Sequence, residues 1–239
     1  MKVINDLLGY KDMKIVQDTE MFSFSLDSVL LPHFVTINKN IYKILDIGCG
    51  NAPIPLILST KTDKKIIGVE IQKEVYDMAV ESVKINKLEN QICIINDDIN
   101  EYYKELETDS FDVITCNPPF FKYLETSNIN KNDYKTIARH EVKLNLDNIF
   151  SIAKKLLKNN GVIALVHRPD RLIDIILEMK KNNIEPKKIR FVYPKMGSEA
   201  NILLIEGSKN GKPGMKILPP LYTHLDNGEY TDEVLKYFE

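Results

Sequence analysis

From about residue 41 onward, short aliphatic and β-branched runs alternate with longer stretches whose apolar positions recur at helical spacing. No other feature constrains the fold as tightly. YKILDIG (42–48), KIIGVEI (65–71), QICIIN (91–96), FDVITC (111–116) and GVIALVH (161–167) read as strands. APIPLILSTK (52–61), QKEVYDMAVESVKINK (72–87), a short segment near 99–106, NLDNIFSIAKKLLKNNG (145–161) and RPDRLIDIILEMKKNN (168–183) read as helices. Gly161 is expected to cap the fourth of these. KKIRFVYP (187–194) and ANILLIEGSK (200–209) predict a closing strand pair. Apolar strands separated by helices imply an α/β fold, with a largely parallel sheet buried on both faces.

The flanks differ from this core. FSFSLDSVLLPHF (22–34) has helical spacing and carries Asp27 and Ser28, so residues 1–40 are expected to include a helix packed on the main domain. Residues 210–239, rich in Pro and Gly at their start, predict an extended surface arm around a catalytic core at 41–209. The three segments are read as one domain. The formal net charge of −2 gives no global basic field, so any nucleic-acid contact must be a local patch. Cys49, Cys93 and Cys116 have no CxxC spacing, which points to a reducing cytoplasm rather than a disulfide or zinc framework. No metal site is expected. No apolar run is long enough to span a membrane, and the N-terminus lacks a signal-peptide h-region.

Three strand ends carry the residues that suit a nucleoside ligand. LDIGCGNAP (45–53) lies where a strand turns into a helix. Gly48 and Gly50 there permit close backbone approach, and Asp46 can accept from an amine or hydroxyl. The dinucleotide form of such a turn has a third glycine where this chain has Pro53. Glu70, followed by Ile71, ends the next strand about twenty residues on, where an acid grips ribose hydroxyls. Asp97 and Asp98, with Ile99, end the third, where a carboxylate can meet an adenine amine or cap a helix.

CNPPFF (116–121) runs straight out of a buried strand into two prolines that can extend neither strand nor helix. In a doubly wound sheet this places Asn117, Pro118, Pro119 and Phe120 beyond a strand's C-terminal end, beside the nucleoside site. Asn117 Oδ1 and the Pro118 carbonyl can each accept a hydrogen from an exocyclic amine, freeing the nitrogen lone pair to attack an electrophile. Phe120 offers a stacking face, with Phe121 and Tyr123 beside it.

In this order the motifs resemble the class I S-adenosylmethionine-dependent methyltransferases. LDIGCGNAP matches the glycine motif, Glu70 the ribose acid, DDI (97–99) the adenine segment and NPPF the amine-methylating motif. The further stretches FSFSLDSVLL (22–31), IARHE (137–141), HRPDRL (167–172), PKMGSEANILLIEG (194–207) and GKPGMKILPPLYTHLDNGEYT (211–231) make nearly the whole chain similar to the bacterial tRNA1(Val) adenine-37 N6-methyltransferase family. The resemblance implies a Rossmann-like, mostly parallel seven-stranded sheet with an antiparallel closing strand. It also implies S-adenosylmethionine as cofactor, tRNA as substrate, a lid role for Phe24 and Asp27, and base flipping toward Phe120.

Expected RNA contacts are Lys131, Lys135, Arg139 and His140, in the polar stretch after NPPF, and Arg168. Arg171, Lys187, Lys188 and Arg190 are weaker candidates. His140 and His167 are not needed as bases, because the amine proton can leave to solvent after transfer. NPPF also suits guanine-N2 and protein-glutamine methylation. Different classes are a nicotinamide-dependent oxidoreductase, opposed by Pro53 and NPPF, and a non-catalytic RNA-binding relative, opposed by intact Glu70 and Asn117. The oligomeric state is left open between a monomer and a weak dimer.

Overall fold

The computed structural model describes residues 1–7, 10, 12–18, 25–118 and 144–238. Its centre is a nine-stranded sheet. Five parallel strands form one side of it: β3 (Lys43–Ile47), β4 (Lys65–Glu70), β5 (Ile92–Asn96), β6 (Phe111–Cys116) and β7 (Leu157–His167), in the order β7-β6-β3-β4-β5. The chain leaves β3 toward β4 and β5, then returns to β6 and β7 on the other side. The strand order therefore reverses at β3, which is where ligands bind in open α/β sheets.

The sheet continues through β9 (Ile202–Lys209), antiparallel to both β7 and β8 (Ile184–Tyr193). These seven strands match the expected core. Two more come from the C-terminal arm: β10 (Lys216–Ile217) and β11 (Leu221–Tyr222) both pair parallel with β8. The seven-strand expectation is corrected to nine, because backbone pairing with an edge strand needs little side-chain signal. The arm ends in a single helical turn at Asp232–Leu235.

Strand alternation divides the core. Ile44, Ile66, Ile92, Val113 and Ala164 face α1 (Leu26–Phe34), α2 (Pro53–Ser59) and α3 (Lys73–Ile85). Leu45, Ile47, Ile114, Cys116 and Leu165 face α5 (Leu146–Leu156) and α6 (Leu172–Lys181). The short helix α4 is Ile99–Tyr102, less than the 99–106 expected.

Two readings need correction. The helix expected over 145–161 ends at Leu156, and Leu157 already pairs with Phe111 of β6. The amides of Asp109 and Ser110 satisfy the carbonyls of Lys155 and Leu156 at 3.0 and 2.9 Å, so no glycine cap is required. Gly161 instead sits in the strand, where a Cβ would lie 2.9 Å from the Lys158 carbonyl.

The N-terminal segment also holds more than a helix. β1 (Lys2–Asp6) and β2 (Lys14–Asp18) form an antiparallel hairpin. It docks on α3, where Val16 N–H donates to Ser82 Oγ at 2.9 Å and Lys14 N–H to Asn86 Oδ1 at 2.9 Å. Among the described residues no helix is long and apolar enough to cross a membrane.

Candidate active site

The register of the parallel strands lines up the singled-out residues. Asp46 of β3 lies beside Thr115 of β6 and Gly68 of β4, and Ile47 lies beside Cys116 and Val69. One residue further on, Gly48, Asn117 and Glu70 leave the ends of three adjacent strands. Glu70 in turn pairs with Asn96, which precedes Asp97 and Asp98. On the other side Cys116 pairs with Leu165, so His167 and Arg168 project one and two steps beyond Asn117. The C-terminal edge of the sheet thus brings these strand-end residues into one row.

The glycine turn is pinned to β4. The amides of Gly48 and Cys49 both donate to the Val69 carbonyl at 3.0 Å. Gly48, Gly50 and Ala52 take left-handed conformations at φ 67, 56 and 74°. Glycine meets that demand without strain at the first two, and Ala52 is the strained one. Beyond its backbone Gly50 faces open space: a Cβ there would meet nothing within 4 Å. Cys49 drops into the room left by Gly68, where a Cβ would lie 2.8 Å from its sulfur. Gly68 was not singled out in the sequence, although a glycine inside a strand signals close approach.

Glu70 is buried, and its carboxylate spans two elements. Oε2 accepts from Gly50 N–H at 3.1 Å and Oε1 from Gln72 N–H at 2.8 Å. Burial raises its pKa, and those backbone amides pull it back down. Asn96 Nδ2 donates to the carbonyls of Glu70 and Ile71 at 2.9 and 3.2 Å, fixing the start of the next loop. Asp98 caps α4, its Oδ1 accepting from Asn100 N–H at 3.0 Å, while Ile99 turns into the core. Asp97 is exposed and accepts from the Asp98 amide at 2.7 Å.

Asp46 is fully buried. Oδ1 accepts from the Thr115 hydroxyl at 2.6 Å, and Oδ2 has no hydrogen-bond partner among the described residues. Burial pushes its pKa up to about 7, with the Thr115 bond opposing and the nearby Glu70 charge adding. Strand alternation turns Asp46, Thr115 and Asn117 toward the face that α1 covers. There Asn117 Nδ2 donates to Ser28 Oγ at 3.1 Å. Asp27, one residue before, has its pKa raised by burial, opposed by a bond from Ser25 and by the charge of Arg168. Arg168 therefore lies near α1 as well as near the end of β6. His167 is buried and its pKa falls to about 4 through burial and the positive charge of Arg171, so it is neutral at pH 7.

Pro118 is buried directly after Asn117. Pro119, Phe120, Phe121, Tyr123, Lys131, Lys135, Arg139 and His140 lie outside the described residues. The weaker cationic candidates are committed elsewhere. Lys188 Nζ donates to the Phe34 carbonyl and Thr36 Oγ1 and pairs with buried Glu206; Arg190 binds the Pro219 carbonyl, Tyr237 and Glu233. Lys187 holds the Lys212 carbonyl and Arg171 pairs with Asp174. The bonds of Lys187, Lys188 and Arg190 tie α1 and the arm to the sheet.

The arrangement suits a nucleoside bearing a charged tail. It offers open room over Gly50 for close backbone approach, a buried acid for ribose at Glu70, and at Asp46 a buried carboxylate oxygen with no partner among the described residues. Next to it, Asn117 supplies an amide aimed from the neighbouring strand. The family model described as methyltransferase small domain matches residues 12–187. The chain is 28% identical over 230 residues to the tRNA1(Val) (adenine(37)-N6)-methyltransferase of Flavobacterium johnsoniae, covering 96% of each chain. It is 26% identical to the protein of the same name from Christiangramia forsetii, covering 96% of this chain and 94% of that one. In structure it is similar to a predicted O-methyltransferase of Agrobacterium tumefaciens, with a TM-score of 0.70 at 18% identity over 89% of this chain and 95% of that one. A TM-score of 0.60 at 12% identity relates it to TYW2 of Pyrococcus horikoshii in complex with MeSAdo, over 88% of this chain and 72% of the other.

Proposed function

We propose a substrate for this chain, which belongs to the methyltransferase small domain family and uses S-adenosylmethionine as methyl donor: the N6 amine of an adenine in tRNA, with adenine 37 of tRNA1(Val) as the target. The observation that carries the amine reading is the Asn117 side chain, whose Nδ2 is engaged by Ser28. Its Oδ1 is the atom then left to receive an amine hydrogen. The names of the near-full-length relatives support the choice of adenine in tRNA.

When bound, the cofactor supplies a methyl group already activated on a sulfonium, so the protein's task is positioning and polarisation. Glu70 accepts from the ribose hydroxyls. Asp97 or Asp98 meets the adenine amine of the cofactor, between Ile71 and Ile99. The Gly48–Gly50 turn admits the tail, over Asp46, and Asp27 closes the site from α1. Asn117 Oδ1 and the Pro118 carbonyl accept the two hydrogens of the substrate amine, which localises the nitrogen lone pair toward the methyl group. Pro119 stiffens that loop, and Phe120, with Phe121 and Tyr123, stacks on the flipped base. Lys135, Arg139, His140 and Arg168 meet RNA phosphates. The proton leaves to solvent, since His167, with its pKa lowered to about 4, is a poor acceptor for it. Residues 1–40 act as lid and 210–239 as arm of one catalytic domain.

The test is transfer of labelled methyl groups into total RNA and, in parallel, total protein, followed by nucleoside and amino-acid analysis. Label in N6-methyladenosine of tRNA is expected, with loss of nearly all of it in Asn117→Ala while cofactor binding persists. Label in guanosine or glutamine would keep the cofactor and overturn the substrate. Full activity in Asn117→Ala would remove the amine-accepting role.

A further inference from the structure

We infer that Ser28 is a positioning residue for the methylation reaction: its hydroxyl holds the Asn117 side chain through Nδ2, which leaves Oδ1 to accept from the substrate amine. The inference rests on the reading of Asn117 given above. An asparagine amide has nearly the same shape in its two flipped orientations but opposite hydrogen-bonding character. With Oδ1 toward the pocket it accepts from an amine. With Nδ2 toward the pocket, donor meets donor, and the lone pair is not drawn out. The structure has the first of these states: Nδ2 is spent on a partner outside the strand, which leaves Oδ1 for the pocket.

Ser28 is placed to hold that bond. It lies in the first turn of α1, 6% exposed, and Val29, Leu30 and Leu31 after it are buried in the core. Its amide donates to the Ser25 carbonyl at 3.1 Å, so its backbone is held within the turn. At the far end of the helix, Lys188 grips the Phe34 carbonyl at 2.6 Å, and Thr36 binds Glu206 through its amide and its hydroxyl. The hydroxyl therefore comes from a helix buried against the core and held to the sheet at its C-terminal end. It accepts from Asn117 Nδ2 at 3.1 Å. Among the described residues this is the only partner recorded for that nitrogen. Removing the hydroxyl leaves Nδ2 half-buried without a partner among the described residues and frees the amide to turn.

Four chains decide it: wild type, Ser28→Ala, Ser28→Thr and Ser28→Ala combined with Asn117→Ala. A transcript of tRNA1(Val) and S-adenosylmethionine are the probes. Ser28→Ala is expected to lower kcat by about tenfold, the worth of one hydrogen bond lost in the transition state. Its KM for tRNA and its cofactor Kd by calorimetry should stay within about twofold of wild type. Ser28→Thr, which keeps the hydroxyl, restores most of the rate. In the double variant the Ser28 change adds nothing, because no amide remains to orient. If Ser28→Ala turns over like wild type while Asn117→Ala is dead, the positioning role is overturned and the amine reading stands. If Asn117→Ala is active, the amine reading fails and takes this inference with it. If Ser28→Ala weakens cofactor binding and melting along with kcat, the Thr variant and the double variant decide. Failure of Thr to restore the rate, or an additive double variant, overturns the role.

Discussion

Asp46→Asn is expected to make the protein more stable at neutral and alkaline pH. The wild-type carboxyl is fully buried, and burial moves its pKa from 3.8 to about 7. In the unfolded chain it ionises near 3.8; in the folded chain it keeps its proton up to about 7. Below the lower value both states are protonated and the group contributes no difference. Between the two the folded state holds an extra proton, so stability falls as pH rises. Above about 7 both states are ionised and the full penalty of a buried charge persists. At 1.36 kcal/mol per pH unit that penalty is about 4 kcal/mol. Asparagine keeps the shape and can still accept the Thr115 bond, made in the wild type at 2.6 Å. It places an –NH2 where Oδ2 stands without a described partner, at a cost of about 1–2 kcal/mol. The net expectation is a gain of about 2–3 kcal/mol at pH 8, or about 5–10 °C in Tm for a chain of this size. The gain should vanish or reverse near pH 4. Thermal melts of both proteins without ligand, run from about pH 4 to about pH 9, read it directly. A Tm difference that does not change with pH, or a variant less stable at pH 8, would refute the buried-charge argument.

Gly68→Ala is expected to destabilise the fold by about 1–3 kcal/mol, because the new Cβ would lie 2.8 Å from Cys49 Sγ and 2.9 Å from Ile94 Cδ1. It should also weaken cofactor binding, since Cys49 carries the glycine turn; an unchanged Kd in a folded variant would disconnect the two. Glu70→Gln keeps only one oxygen to accept where the wild type serves both Gly50 and Gln72 amides. Calorimetry should read at least about tenfold weaker S-adenosylmethionine binding, and a wild-type Kd would remove Glu70 from the cofactor site. Asp98→Ala loses the bond to Asn100 N–H and about 1 kcal/mol of stability. Asp98→Asn keeps the cap, so its melting should match wild type; any change in cofactor Kd then belongs to the carboxylate alone.

The ligand side of the sheet was legible because both its signals are local. Buried parallel strands need continuous apolar runs, and their ends need glycine or a chain-breaking pair, as at 48–50 and 117–119. What was not legible depends on partners far away in sequence. KVIND and KIVQD alternate too weakly to read as strands, and the hairpin is held by Ser82 and Asn86 of α3. Lys188 and Arg190 read as cations free for RNA, but Glu206, Tyr237 and Glu233 turn them inward. Asp98 carried both a ligand reading and a cap reading, and the cap is the one with a bond on it. Ser28 stood out only as a polar residue inside an apolar helix; its partner lies 89 residues on.

The clamp on α1 has a consequence for how the protein comes into being. Chains are made from the N-terminus, so α1 leaves the ribosome early. Yet Thr36, at its end, finds Glu206 only 170 residues later, and Phe34 waits for Lys188. The glycine turn, Glu70 and Asn117 are all synthesised before those anchors exist. A nascent or truncated chain can therefore assemble the strand ends around the glycine turn while the helix bearing Ser28, though packed on α2, still lacks the bonds at its C-terminal end. On the roles proposed for Asn117 and Ser28, capacity to use the methyl donor arises at a greater chain length than the residues proposed to hold it, once β9 is in place.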